Sequence, residues 1–201
     1  MIEGIDVSNH QGYIDWAAVA GAGKRFALLK ATEGLHYVDP YLGLNWAESK
    51  ANGLCRGAYH FARPQHGSGA AQAHYFLDAL RLEPGDLLAL DLEDGPPGSG
   101  LGAFALDFLL TCYAETGCRP LLYTGHYFIR EHAVDQPALA EYGLWLASWQ
   151  AELPPVPAPW PFIAVWQYSA TQSCPGVIGA CDLDRFNGDD AAQLVAYGVP
   201  A

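Results

Sequence analysis

The chain has 201 residues, 51% of them hydrophobic, and 22 acidic against 10 basic side chains give it a formal net charge of −12. This length and composition are typical of one globular domain with a sizeable core and exclude a disordered chain. So few cations argue against a nucleic-acid partner and against binding to an anionic membrane surface. We expect a single domain over residues 1–201, a monomer whose ligand is neutral or sugar-like.

No targeting or membrane segment is recognisable in the sequence. No apolar run reaches the roughly 18 residues of a membrane span. The first residues, MIEGIDVSNH, lack the basic and apolar regions of a secretory signal. Either export uses another route or the sequence begins at the mature chain.

The five cysteines match no zinc-binding spacing. Cys112 with Cys118, and Cys174 with Cys181, are close enough in sequence to form local disulfides, which would leave Cys55 unpaired. Buried, reduced thiols explain the same pattern equally well. The pairing therefore stays open at this point.

Strand and helix candidates alternate along the first part of the chain. Apolar and β-branched strand segments begin near Ile2, Phe26, Arg56, Leu87 and Leu121. Helical spacing lies between them, most clearly at 40–52, 69–81 and 101–116. The strand starts are 24, 30, 31 and 34 residues apart, the length of a strand with its crossover helix. This rhythm predicts a parallel sheet covered by helices.

The rhythm changes after the fifth strand. Further strand candidates begin near Leu144, Phe162 and Asp182, with no room for full helices between them. The segment 153–161, LPPVPAPWP, is too rich in proline for a helix and is predicted to be a loop. Eight strands of which only five carry helices predict an α/β fold, a single reduced TIM-like barrel of the form (β/α)5(β)3, in a chain shorter than the roughly 250 residues of a full barrel.

The stretch LLALDLED, residues 87–94, ends a buried strand in carboxylates. Asp91 and Glu93 are two residues apart, so both side chains point to the same side of the strand, about 7 Å apart along it. Crowded like charges raise the pKa of at least one acid, which places a proton donor beside an anion. Glycoside hydrolysis requires such a pair.

Other strand ends carry acids as well. Asp6 ends the first strand, Glu33 ends the second, and Asp182 and Asp184 lie in the last, CDLDRF. Strand ends meet at the active face of a barrel, where the first and eighth strands are neighbours. Aromatic residues such as Tyr59 and Trp149 accumulate at the same ends, and acids ringed by aromatic faces suit a saccharide.

Eight blocks of sequence, taken together, resemble one known family. They are GIDVSNHQGYIDW, FALLKATEG, GAYHFARP, LALDLED, PLLYTGHYF, LWLASW, VWQYS and DLDRFNGD, and they cover the chain from Ile2 to Asp189. In this order they are similar to the landmarks of glycoside hydrolase family 25, the Chalaropsis-type lysozymes or N-acetylmuramidases. The resemblance implies a (β/α)5β3 barrel, no cofactor or metal, and bacterial cell-wall peptidoglycan as the substrate, cleaved outside the cell. Many relatives append wall-binding repeats, and no such repeat is expected here.

The resemblance also implies roles for individual residues. Glu93 matches the general acid that protonates the glycosidic oxygen between N-acetylmuramic acid and N-acetylglucosamine. Asp91 matches the acid that orients the substrate's acetamido group, although a direct carboxylate nucleophile is the competing account. Asp6 and Asp182 match the remaining site acids. The groove is expected to be lined by Glu33, Tyr59, Tyr123, Trp149, Gln167, Tyr168 and Arg185. Arg185 has a structural ion pair as its alternative.

Two other classes of function fit parts of the pattern. A metal-dependent hydrolase could use Asp6, His10, Asp91, Glu93 and Asp182 as ligands. The histidines, however, show neither HxH nor HExxH spacing. A sugar-binding module without catalysis is the second alternative, and the full set of acids argues against it.

Overall fold

The computed structural model describes residues 1–96 and 100–201. Within these residues the strands are β1 (Ile2–Val7), β2 (Phe26–Glu33), β3 (Tyr37–Val38), β4 (Cys55–Phe61), β5 (Leu87–Asp91), β6 (Leu121–Gly125), β7 (Leu144–Ala147), β8 (Ile163–Gln172) and β9 (Cys181–Phe186). The α-helices are α1 (Trp16–Gly21), α2 (Leu42–Ala51), α3 (Gly69–Asp78), α4 (Leu101–Thr116), α5 (His126–His132) and α6 (Ala191–Val195).

Eight of the strands close into a barrel. The sheet runs in the order β1-β9-β8-β7-β6-β5-β4-β2-β3, and β1 also pairs with β2, which closes the ring. One helix follows each of the first five barrel strands, and the connections between β7, β8 and β9 contain no helix. The predicted (β/α)5β3 barrel is thus confirmed. The short strand β3, a hairpin partner of β2 outside the ring, was not predicted.

The last strand runs against the others. β9 is antiparallel to both β8 and β1, whereas the other barrel pairings are parallel. The prediction of a parallel sheet is therefore wrong for β9, because residues 173–180 are too few for a crossover connection. As a result, the start of β9 lies at the barrel end where the parallel strands finish.

Alternation along the strands, interrupted only at a few register shifts, divides the apolar residues into two layers. Leu28, Ala89 and Leu121 point into the barrel, whereas Leu29 and Leu90 point outward to the helices. Both faces of each strand are covered, which explains the continuous apolar runs in the sequence. None of the helices in the described ranges is long and apolar enough to cross a membrane.

The bottom of the barrel is filled by large side chains. A side chain on Gly4 would place its Cβ 2.5 Å from the ring of Phe26, so only glycine fits opposite that residue. Trp145, which is 1% exposed, fills the barrel higher up. Since this packing leaves no channel, a ligand can enter only at the open end.

The five cysteines are reduced in this structure. Cys174 and Cys181 nevertheless lie side by side at the two ends of the β8–β9 connection. The neighbouring Cys181 thiol lowers the pKa of Cys174 to about 7. Both thiols donate to backbone carbonyls, Cys174 to Pro175 at 3.6 Å and Cys181 to Asp182 at 3.5 Å.

Candidate active site

Four acids from three strands meet in one pocket at the open end of the barrel. Asp6 is the next-to-last residue of β1, Asp91 ends β5, Glu93 follows two residues later, and Asp182 is the second residue of β9. All four line a cavity of about 350 Å³, which we call the central pocket. Its other walls include Ser8, His10, Gln11, Lys30, Tyr59, Phe61, Tyr123, Trp145, Trp149 and Gln167. The predicted convergence of the acids is therefore present.

Asp91 and Glu93 differ in their access to solvent. Asp91 is 6% exposed, and its Oδ1 atom is buried without a hydrogen-bond partner among the described residues. Burial and the neighbouring Glu93 raise the pKa of Asp91 well above its usual range. The Glu93 side chain remains open to solvent. Partial burial of its carboxyl group within the pocket raises the pKa of Glu93, although Lys30 opposes this shift.

Lys30 is the only lysine or arginine that lines the central pocket in the described part of the chain. Its Nζ atom donates a hydrogen bond of 2.6 Å to Glu33, and the same ammonium lies 4.8 Å from the ring centre of Phe61. Glu33 also accepts from Arg63 at 2.7 Å, and Arg63 in turn pairs with Asp94, next to Glu93. This chain of ion pairs links β2 to the loop that carries Glu93.

Asp6 lies deeper in the barrel, against a second buried acid. Asp184 follows Asp182 by two residues on β9, is fully buried, and accepts a 2.8 Å hydrogen bond from Trp145 Nε1. The Asp6 and Asp184 carboxyl groups shift each other's pKa directly, and Oδ2 of Asp184 is buried without a hydrogen-bond partner among the described residues, so we expect the two acids to share one proton. Burial and the adjacent carboxylates raise the pKa of Asp6 well above its usual range, and burial raises the pKa of Asp184 to about 7.

Asp182 lies between these two groups of acids. It is partly exposed, and burial together with the charge of Glu93 raises its pKa to about 6. The site therefore holds carboxylates in graded environments, from the fully buried Asp184 to the solvent-facing Glu93. Such grading separates acids that stay protonated from acids that ionise.

Gln167 on β8 joins the aromatic wall to the acids. Its Oε1 atom accepts from Tyr123 Oη at 3.1 Å and from Trp149 Nε1 at 3.0 Å, and its Nε2 atom donates to Asp6 at 2.7 Å. Trp149 is 65% exposed, yet this bond fixes the edge of its ring. The result is an oriented, solvent-facing aromatic surface above the acids, which suits stacking on a sugar ring.

Three predicted groove residues lie elsewhere. Tyr168 follows the inward-facing Gln167, so alternation turns it to the outer surface of the barrel. There its ring centre lies 4.2 Å from the guanidinium carbon of Arg185. The Arg185 side chain also points outward, from β9. Arg185 also pairs with Glu3 at 3.4 Å, so its structural alternative fits. Glu33 acts on the pocket through Lys30 and Arg63 rather than by lining it.

Lys30 was missed as a site residue, and Asp184 was noted as an acid of the last strand but given no role in the site, although the sequence carries a signal for both. In FALLKATE, Lys30 has the same parity as the inward residues Phe26 and Leu28. In CDLDRF, Asp184 shares the parity of Asp182. A charged residue at a strand position whose side chain points into the barrel is a candidate site residue.

The metal-site hypothesis finds no support in the arrangement of ligands. His10 lines the central pocket together with the four acids. Across residues 1–96 and 100–201, however, no three His, Cys, Asp or Glu side chains are placed so that they could hold a metal ion.

The shared proton of Asp6 and Asp184 leads to a prediction about stability. A carboxyl group whose pKa is raised on folding stabilises the fold fully at low pH, and this stabilisation is lost as the pH rises through its folded-state pKa of about 7. Asp184→Asn keeps an acceptor for Trp145 and adds an N–H donor for Asp6, but it does not titrate. We expect the thermal midpoint of the native protein to decrease as the pH is raised from about 5 to about 8. The midpoint of the variant should decrease over the same range by at least about 4 °C less than that of the native protein.

Thermal unfolding followed by circular dichroism measures this difference. Asp78→Asn, an exposed position on α3, is the matched control and should behave like the native protein. Equal slopes for Asp184→Asn and the native protein would contradict the shared proton.

Comparison with known proteins agrees with this geometry. The family model described as "Glycosyl hydrolases family 25" matches residues 5–177. Lysozyme M1 of Streptomyces globisporus is 38% identical, over 97% of this chain and 70% of its own length. The N,O-diacetylmuramidase of Chalaropsis is 32% identical, over 84% of this chain and 88% of its own.

A solved structure has the same fold over nearly the full length. The bacterial lysozyme from Streptomyces coelicolor superimposes with a TM-score of 0.91 at 36% identity, covering 98% of this chain and 96% of that one. The barrel, the clustered acids and the matched family model lead to one assignment. The chain belongs to glycosyl hydrolase family 25 and is a glycoside hydrolase related to the lysozymes and muramidases.

Proposed function

We propose that this enzyme is an N-acetylmuramidase that hydrolyses the β-1,4 bond between N-acetylmuramic acid and N-acetylglucosamine in bacterial peptidoglycan. The observation that carries the proposal is the meeting of the buried Asp91 and the open Glu93 in one aromatic-lined pocket. The lysozyme and muramidase relatives support the same substrate class. The enzyme acts as a monomer on the cell wall outside the cytoplasm, without a cofactor.

Glu93 is the general acid in this proposal. Its raised pKa keeps a proton available at mildly acidic pH, and its solvent-facing position lets it reach a glycosidic oxygen. Transfer of that proton to the leaving oxygen breaks the bond to the anomeric carbon. The same residue, once ionised, then activates the water that completes hydrolysis.

Asp91 is the residue that orients the acetamido group. Its unpaired Oδ1 atom is an acceptor that a substrate N–H would satisfy, and that contact would favour the ionised form. An acetamido group held in this way attacks the anomeric carbon through its carbonyl oxygen, and water opens the resulting ring with net retention. Direct attack by the Asp91 carboxylate also gives retention, and it would leave a covalent glycosyl-enzyme intermediate.

Asp6 and Asp182 support the charge that develops on the sugar. Asp182 has a pKa of about 6 because it is partly buried and lies near Glu93. Asp6 acts from below, where Gln167 holds it. Tyr59, Tyr123 and Trp149 provide the sugar-facing walls, and the ion pairs of Glu33 keep Lys30 in place beside the acids.

Product analysis tests the reaction directly. Purified peptidoglycan is incubated with the enzyme, and the released fragments are reduced and analysed by mass spectrometry. Muramic acid at the new reducing ends is expected. New reducing ends on glucosamine, release of free peptides, or no cleavage at all would each refute the proposal.

Replacement of the acid tests the role of Glu93. Glu93→Gln keeps the size of the side chain but cannot donate a proton, so the rate should fall at least about 100-fold while the thermal midpoint stays close to that of the native protein. Glu48→Gln, on the exposed face of α2, removes the same charge far from the pocket and should leave the rate unchanged. Near-normal turnover of Glu93→Gln would remove this residue from its proposed role.

The pH dependence tests the electrostatics of the pocket. Since Glu93 must be protonated, activity should peak below neutral pH and decline as the pH rises through its raised pKa. The positive charge of Lys30 lowers the pKa of Glu93, so Lys30→Met should raise that pKa. The decline of activity on the alkaline side of the profile should then move to higher pH. The control Lys50→Met, which breaks an exposed ion pair with Glu83, should leave the limb in place.

Initial rates on soluble glycan fragments between about pH 4 and pH 9 give these profiles. A flat native profile would contradict the general-acid role. A limb unmoved by Lys30→Met would contradict the influence of Lys30 on Glu93.

A further inference from the structure

A second hollow opens beside Glu93. It lies between α5 and the segment 147–155, has a volume of about 690 Å³, and shares Glu93, Tyr123 and Trp149 with the central pocket. We call it the α5 hollow. Because these three residues form a common boundary, a ligand bound at Glu93 can extend into it without crossing a ridge.

The α5 hollow carries a positive side chain, which α5 contributes. Among the described residues, two Lys, Arg, Asp or Glu side chains line the α5 hollow. One is Glu93 at the boundary with the central pocket, and the other is Arg130. Its side chain is exposed, and in the described part of the chain it has neither an ion pair nor a hydrogen bond. Most other cations of this acidic chain are ion-paired, so a free guanidinium beside the groove is available to a ligand.

The walls of the α5 hollow are suited to an amphipathic ligand. Tyr127 is 76% exposed and Trp149 is 65% exposed, so both present aromatic surface. Pro154 and Pro155 form the opposite wall, where fixed φ angles limit backbone freedom. On the helix side, the ring of Phe128 stacks on His132 with the centres 4.0 Å apart. The hollow therefore exists before a ligand arrives, which reduces the entropy lost on binding.

The size of the α5 hollow indicates a branched ligand. It is larger than the central pocket, which is itself proposed to hold a sugar ring. A linear glycan of amino sugars has no anionic group to match Arg130. In peptidoglycan, by contrast, the lactyl group of muramic acid carries a short peptide with free carboxylates, and arginine binds carboxylates through its planar guanidinium.

We propose that the α5 hollow binds the carboxylate-bearing peptide branch of the substrate and that Arg130 recognises its anion. The proposal rests on the proposed muramidase function and extends it, since it makes the peptide branch a determinant of specificity. Arg130 contacts the branch rather than the bond that is cleaved. It should therefore affect the choice of substrate and not the chemical step.

The test uses two soluble tetrasaccharides of alternating N-acetylglucosamine and N-acetylmuramic acid. One carries L-alanyl-D-glutamate on its lactyl groups, and the other carries neutral lactyl methylamides. For Arg130→Gln we expect kcat/KM to fall roughly threefold to fivefold on the first substrate, the scale of an exposed ion pair, and to stay unchanged on the second. Arg130→Lys should lose less. The control Arg81→Gln, an exposed arginine that lines neither cavity, should match the native enzyme on both.

Binding measured by NMR titration separates this proposal from the proposed reaction. The probes are N-acetylmuramyl-L-alanyl-D-glutamate and its diamide. The native protein should prefer the dicarboxylate, and Arg130→Gln should lose that preference. Equal losses of kcat/KM on both tetrasaccharides, no loss on either, or equal binding of the two probes would overturn the proposal. If the protein binds the dicarboxylate more tightly than the diamide but cleaves neither tetrasaccharide, the muramidase function is refuted and the binding of the peptide branch is supported.

Discussion

The structure depends on one constraint, the alternation of side chains in a closed barrel. Alternate residues of a strand point inward, and at the open end of this barrel several of those inward residues are carboxylic acids. Asp6, Asp182 and Asp184 are brought together because β1 and β9 pair with Asp6 opposite Asp182. Since desolvated carboxylates repel one another, the arrangement favours the retention of protons and opposes stability. A cost of this kind is typical of sites that are selected for activity.

The protein offsets the crowding with a small number of polar contacts. Gln167 and Trp145 each donate a hydrogen bond to a buried acid, and Lys30 supplies one positive charge from β2, the strand that neighbours β1. Two of these acids keep a buried oxygen without a hydrogen-bond partner among the described residues, Oδ1 of Asp91 and Oδ2 of Asp184. Unsatisfied buried oxygens are rare in folded proteins. Asp184 faces Asp6 inside the barrel, whereas Asp91 lines the central pocket. We therefore interpret the Asp91 oxygen as a position completed by substrate, which links an incomplete hydrogen-bond network to the proposed orientation of the acetamido group.

The loss of helices from the second half of the barrel shapes the groove. A full barrel would place a helix and a longer loop after β7, whereas here the chain returns through a proline-containing segment. The short α5 and that segment leave the α5 hollow open beside Glu93. A reduced barrel therefore gains an accessible flank at the reacting centre. This flank can distinguish a branched, anionic polymer from a plain glycan.

The sequence by itself determined the number and order of the barrel strands, the five helices, and the acids at the strand ends, because these follow from local periodicity and spacing. It also identified the family, through motifs that extend along the whole chain. The tertiary structure decided the direction of β9 and the depth at which each acid is buried. Those features depend on which strands become neighbours and on how much water reaches each side chain. Neither can be read from local sequence, since contacts such as that between Gln167 and Asp6 join residues from opposite ends of the chain.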